Sequence, residues 1–154
     1  MPNWCMNDLR ISGDTEEILR FIEDNKTDGE FCFKTLFPEP EYANPEDWYE
    51  WRVQNWGTKW DVDGNVDVSK IDDNLYRLYF TTAWSPPIHW FETVVKNYPT
   101  LKFELNAGEP GMGWHYVWQA QGGRSLLFHS STFEDSADFW GLEDMYAEDE
   151  TCKI

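Results

Sequence analysis

A chain of 154 residues, 41% of them apolar, suffices for one domain with one hydrophobic core, and no window is long and apolar enough to span a bilayer. The net charge of −17, from 29 acidic against 12 basic residues, repels nucleic acid and anionic membrane and favours basic partners. Three widely spaced cysteines (Cys5, Cys32, Cys152) supply neither a disulfide framework nor a C-x-x-C metal pair, so no metal site is expected.

The start, Met1-Pro2-Asn3-Trp4, lacks the basic and apolar regions of a secretory leader, which predicts a cytoplasmic protein. Leu9 and Ile11 on one face, closed by Ser12-Gly13, predict a first strand over 3–12. Asp14-Thr-Glu-Glu17 reads as a capping box, and Ile18, Leu19, Phe21 and Ile22 continue it as a helix over about 15–25. Phe31-Cys-Phe33 is a short apolar piece leading into Leu36-Phe-Pro-Glu-Pro40, where two prolines predict a rigid loop. Asn44-Pro45 opens a short helix through Trp48, Trp51 and Arg52 that Gly57 ends.

Asp63-Gly64 reads as a turn, and Val66, Val68 and Ile71 alternate as a half-buried strand that turns at Asp72-Asp-Asn74 into a second strand, 75–82. Ser85-Pro86 caps a helix carrying Ile88, Phe91, Val94, Val95 and Tyr98, and Pro99 stops it. Leu101, Phe103 and Leu105 alternate as a further strand. Past the glycine-rich turn Glu109–Gly113, two more strands flank Gln121-Gly-Gly123. Residues 134–154 hold eight acids and one lysine and read as a loosely ordered acidic tail with a short helix near 136–147.

The order β-α-β-β-α-β predicts an α+β fold of the ferredoxin-like, split β-α-β type. An insertion at about 34–61 and a C-terminal β-hairpin are added to it. Residues 1–132 form the domain and 133–154 the tail.

Four ordered motifs carry a family resemblance: Met1-Pro-Asn-Trp-Cys5 with Ile11-Ser-Gly13; Trp51-Arg52 with Asn55-Trp-Gly-Thr-Lys-Trp-Asp61; Thr82-Ala-Trp-Ser-Pro-Pro87; and Glu109-Pro-Gly-Met-Gly113. Over residues 1–120 the chain resembles the YubB ferredoxin-like family of plasmids, phages and prophages. The resemblance implies that fold and a home on mobile elements, and it implies no activity.

The densest chemical cluster is Arg52, Asn55, Trp56, Thr58, Lys59, Trp60 and Asp61. Its cations suit a phosphate or carboxylate, and its indole faces suit a planar base. The structural alternative is a helix end in which Gly57 turns the chain, the tryptophans cover the sheet and the cations pair with acids. Thr82–Pro87 lies at a strand-to-helix junction, where amides and Ser85 could receive an anion or simply cap a helix. Glu109–Gly113 with His115 reads as a glycine loop against a ligand or as a hairpin connection, without any nucleotide-binding fingerprint. Acid–base pairs such as His115 with Glu109 arise easily in so acidic a chain, and no catalytic motif stands out, so the expectation leans away from an enzyme.

Three functions remain open. The first is a counter-defence binding protein that sequesters a small nucleotide-like ligand, without a cofactor. Its pocket would be built from Arg52, Asn55, Trp56, Thr58, Lys59, Trp60 and Trp84, with Glu109 and His115 at the rim. The second is an acidic inhibitor that mimics nucleic acid against a basic host restriction or CRISPR protein. The third is an enzyme degrading a nucleotide signal. A homodimer is compatible with each.

Overall fold

The computed structural model describes residues 3–141, and alternation along its first strand decides which way the sheet faces. In β1 (Trp4–Ser12), Cys5, Asn7, Leu9 and Ile11 point to one side and are buried, whereas Met6, Asp8 and Arg10 point to the other. Asp14 accepts the Glu17 amide at 3.3 Å and starts α1 (Thr15–Asp24), which lays Ile18, Phe21 and Ile22 on the odd-numbered face of β1. The segment that follows contains a two-residue hairpin unforeseen from sequence, β2 (Lys26–Thr27) and β3 (Glu30–Phe31). A 3-10 turn over Pro45–Asp47 then feeds α2 (Trp48–Asn55).

The remaining elements are β4 (Asp63–Asp72), β5 (Leu75–Ala83), α3 (Ile88–Asn97), β6 (Lys102–Glu109), β7 (Trp114–Gln121), β8 (Arg124–Thr132) and α4 (Ala137–Trp140). The main sheet runs β4-β5-β1-β6-β7-β8 with every neighbouring pair antiparallel. Leu9 lies between Leu78 and Leu105, and Ile11 between Tyr76 and Phe103, so three strands present one apolar face. That face packs on Phe21, Trp90, Phe91 and Trp56, each at most 1% exposed. Each such aromatic contributes roughly 1.5–3 kcal/mol by leaving water. The fold is α+β, as the sequence pattern predicts, and the sheet is antiparallel.

Three local expectations change. Asp63-Gly64 is not a turn between elements but part of β4, where the register with β5 shifts between Asp63 and Asp67. A bulge needs the same backbone freedom as a turn, so the two share a sequence signature. Ser85 does not cap α3; its hydroxyl donates to Gly57 O at 2.7 Å, and the helix begins at Ile88. The chain also stays in the fold beyond 132. Phe133, Ser136 and Ala137 are buried on the sheet face opposite the helices, and Phe133 stacks on Trp140. Gly108 makes room for them, since a Cβ there would lie 2.8 Å from the Phe133 ring. The acidic stretch after 141 lies outside the described residues.

Candidate functional site

The predicted cluster at the end of α2 is close in space, but much of it is engaged within the fold. Arg52 forms a two-nitrogen pair with Glu39 Oε1 (2.7 and 3.0 Å), donates to Lys59 O and lies over the Trp48 and Trp56 rings. Asn55 donates to Trp51 O, Trp56 is buried with its Nε1 on Phe37 O, and buried Thr58 donates to Ala83 O at 2.8 Å. Lys59 Nζ sits 4.4 Å from the Trp60 ring centre, and Trp60 leans on Trp4.

A recess of about 450 Å³ opens beside these residues, lined by Arg52, Trp56 and Trp60 together with Lys34, Glu39, Asp61 and Asp63. Three carboxylates against two cations make it locally negative, which does not suit a phosphate. Asp61 is itself structural, since it accepts the amides of Phe33, Lys34 and Val62.

The Thr82–Pro87 motif does adjoin this loop through the Thr58–Ala83 and Ser85–Gly57 hydrogen bonds. Trp84 nonetheless stands apart, a residue with φ +69° that is 44% exposed and is not among those lining the recess.

Glu109 and His115 belong to neither motif and do not meet. Glu109 pairs across the hairpin with Trp114 and Gly108 with His115, so alternation sends the two side chains to opposite faces of the sheet. The acid–base pair that the sequence allows therefore does not form. The Glu109 carboxylate is buried and accepts the amides of Gly111 (2.9 Å) and Met112, which fixes the turn. His115 Nε2 lies 2.9 Å from Asn106 Oδ1, while Asn106 Nδ2 donates to Glu104. Nε2 must then be the donor. Burial between Phe139 and Trp140 holds the imidazole pKa below its ordinary value, with His129 adding to the shift.

A larger concavity lies elsewhere. It is a groove of about 850 Å³ on the helix-free face, at the end of the sheet where Ser12 pairs with Lys102 and Gln121 with Arg124. Arg10, Lys102 and Arg124 reach it with a single carboxylate, Glu104, beside the amides of Gln119 and Gln121 and the side chains of Leu75, Leu126 and Leu127. Glu104 accepts from Asn106 and Gln119, and Arg10 pairs with buried Asp8 at 3.1 Å. Among the described residues, Lys102 and Arg124 form no ion pair. Its three cations come from three strands, so no local motif marks them; only the register of the sheet unites them. No group of three His, Cys, Asp or Glu side chains suited to a metal occurs among the described residues, and no described helix is long and apolar enough to cross a membrane.

Residues 56–153 match the family model described as a ferredoxin-like domain in Api92-like protein. The chain belongs to that family. The matched span holds β4 to β8 with α3 and α4, and leaves the central strand β1 outside it. A crystal structure of protein api92 from Yersinia pseudotuberculosis superposes with a TM-score of 0.57 at 10% identity, covering 85% of this chain and 99% of that one. At that identity the likeness concerns the fold alone. None of the curated proteins matches the chain.

Proposed function

We propose that this Api92-like chain is a non-catalytic binding protein that captures a small anionic, nucleotide-like ligand in the groove of Arg10, Lys102 and Arg124. The observation that carries the reading is local charge inversion: a chain of net −17 gathers three cations against one carboxylate in a groove of about 850 Å³. Screening confines the surrounding repulsion to about 8–10 Å at ordinary salt, so the groove acts on a ligand at contact. Cations would hold the phosphate or carboxylate, the glutamines a hydrogen-bonding edge, and the leucines an apolar body. A role in counter-defence for a mobile element, in the cytoplasm of a bacterial host, rests on the YubB resemblance of the sequence motifs. Calorimetric titration with linear and cyclic nucleotides tests the site. Arg10→Ala and Lys102→Ala should each weaken binding about tenfold while Arg52→Ala leaves it unchanged. Loss with Arg52→Ala alone would move the ligand to the recess at α2.

A second reading is favoured by the exposed strand β4, which carries Asp63, Asp67 and Asp72 with Asp73 in the following turn. Such a surface could occupy the basic nucleic-acid site of a host defence protein. A complex of that kind should weaken steeply between 0.1 and 0.5 M salt, and indifference to salt would refute it.

A further inference from the structure

Arg10 of β1 and Arg77 of β5 are cross-strand partners on the helix-free face, an unfavourable placement for two like charges. Asp8, only 1% exposed, takes both: its Oδ1 accepts Arg10 Nε at 3.1 Å and its Oδ2 accepts Arg77 Nε. Each guanidinium is also backed by a ring. The central carbon of Arg10 lies 5.4 Å from the centre of Phe139, and that of Arg77 lies 5.5 Å from the centre of Tyr79.

A buried carboxylate needs a cation to offset its lost hydration, and a single arginine balances its charge. The second arginine exceeds that need, and both engage Asp8 through Nε alone. Among the described residues nothing accepts from their Nη nitrogens, and the two side chains remain 42% and 36% exposed. The three residues together therefore carry one positive charge and present two planar N–H edges, aimed by a buried carboxylate and two rings. Arg10 lines the groove of about 850 Å³, and Arg77, opposite it, lines a second recess of about 400 Å³ with Met6 and Tyr79. Asp67 also borders that recess, but from β4, one strand further from Arg10.

We infer that Arg10 and Arg77, with Asp8 as their positioning residue, form a phosphate clamp on the β1–β5 side of the groove. The captured ligand then carries a phosphate group rather than a carboxylate. One guanidinium edge saturates a planar carboxylate, whereas a phosphate monoester offers three terminal oxygens and a charge near −2 to two edges. This rests on the groove as the binding site and narrows what the groove takes. It also adds Arg77, which does not line the groove itself and joins it only through Asp8.

Side-chain nitrogen–proton spectra of the full chain test this in the unaltered protein. Inorganic phosphate, and then the four nucleoside 5′-monophosphates in turn, should shift the guanidinium signals of both Arg10 and Arg77, and acetate at equal ionic strength should not. In calorimetry with the nucleotide that binds, Arg77→Lys keeps the charge but loses the planar fork, and Kd should rise about tenfold. Asp8→Asn adds a positive charge to the face, so arginines acting as mere charges would bind phosphate more tightly. Loss of their fixed direction should instead weaken binding. An Arg77→Lys protein that binds as the parent does, an Asp8→Asn protein that binds more tightly, or acetate shifts equal to those of phosphate would overturn the clamp. If Lys102→Ala weakens a nucleotide and Arg77→Lys does not, the groove stands and the clamp falls. If inorganic phosphate shifts both arginines and no nucleotide binds, the clamp stands and the nucleotide reading of the groove falls.

Discussion

Replacing Gly57 by alanine tests how the loop bearing the cation–indole cluster is anchored. Gly57 has φ +93°, and a Cβ there would lie 2.8 Å from Ile88 N, 3.1 Å from His89 N and 3.2 Å from Pro86 O. All three are backbone atoms and have little freedom to yield. Gly64, at the β4 bulge, also has positive φ (+67°), but a Cβ there meets nothing within 4 Å. The left-handed conformation alone costs an L-residue about 1–2 kcal/mol, and overpacking adds about 1–3 kcal/mol. Gly64→Ala should therefore cost about 1 kcal/mol and Gly57→Ala about 3 kcal/mol. Urea unfolding followed by tryptophan fluorescence reads both as midpoint shifts at constant slope. In a thermal scan the larger loss corresponds to a fall in Tm of about 6–12 °C. Equal losses at the two glycines would refute the close approach of this loop to α3.

Thr58→Val removes the donor to Ala83 O, and because that carbonyl keeps the Ser85 amide, the expected loss in urea is about 1 kcal/mol, recovered by Thr58→Ser. Phe133→Ala empties a fully buried site and should cost about 3–5 kcal/mol; an unchanged midpoint would put the end of the fold at 132. His115 is held below the ordinary imidazole pKa by burial and by His129, so on acidification the unfolded chain takes up a proton that the native state resists. Its contribution is therefore complete above about pH 6.5 and is lost as pH falls through the lower folded value, and His115→Gln should flatten the pH dependence of the urea midpoint between pH 7.5 and 5.5.

The elements were legible where one periodicity dominated. Leu9 and Ile11 alternate before Ser12-Gly13, Ile18, Phe21 and Ile22 repeat helically behind Asp14, and two glycines divide β7 from β8, and each element lies within a few residues of its expected place. The hairpin at Lys26–Phe31 was hidden because two-residue strands have no period to read. The candidate site was less legible. Residues 52–61 are chemically rich and adjacent in sequence, yet Arg52, Asn55 and Thr58 find partners within the fold, on Glu39, Trp51 O and Ala83 O. The groove cations lie far apart in sequence and meet only through strand register, which a single chain does not display.

The central position of β1 has a consequence for how the chain is made and how it can be divided. Its neighbours both lie far downstream, with Leu78 on one side of Leu9 and Leu105 on the other. At 5–20 residues per second, β1 waits on the order of 5–20 s on the ribosome before its second edge is covered. Until then Leu9 and Ile11 have half a sheet to lie in. The same order makes the loop between α3 and β6 a natural place to cut. The upstream fragment would carry β4-β5-β1 with a bare edge, and the downstream fragment β6-β7-β8, so two separately expressed pieces should be held together by the β1–β6 seam.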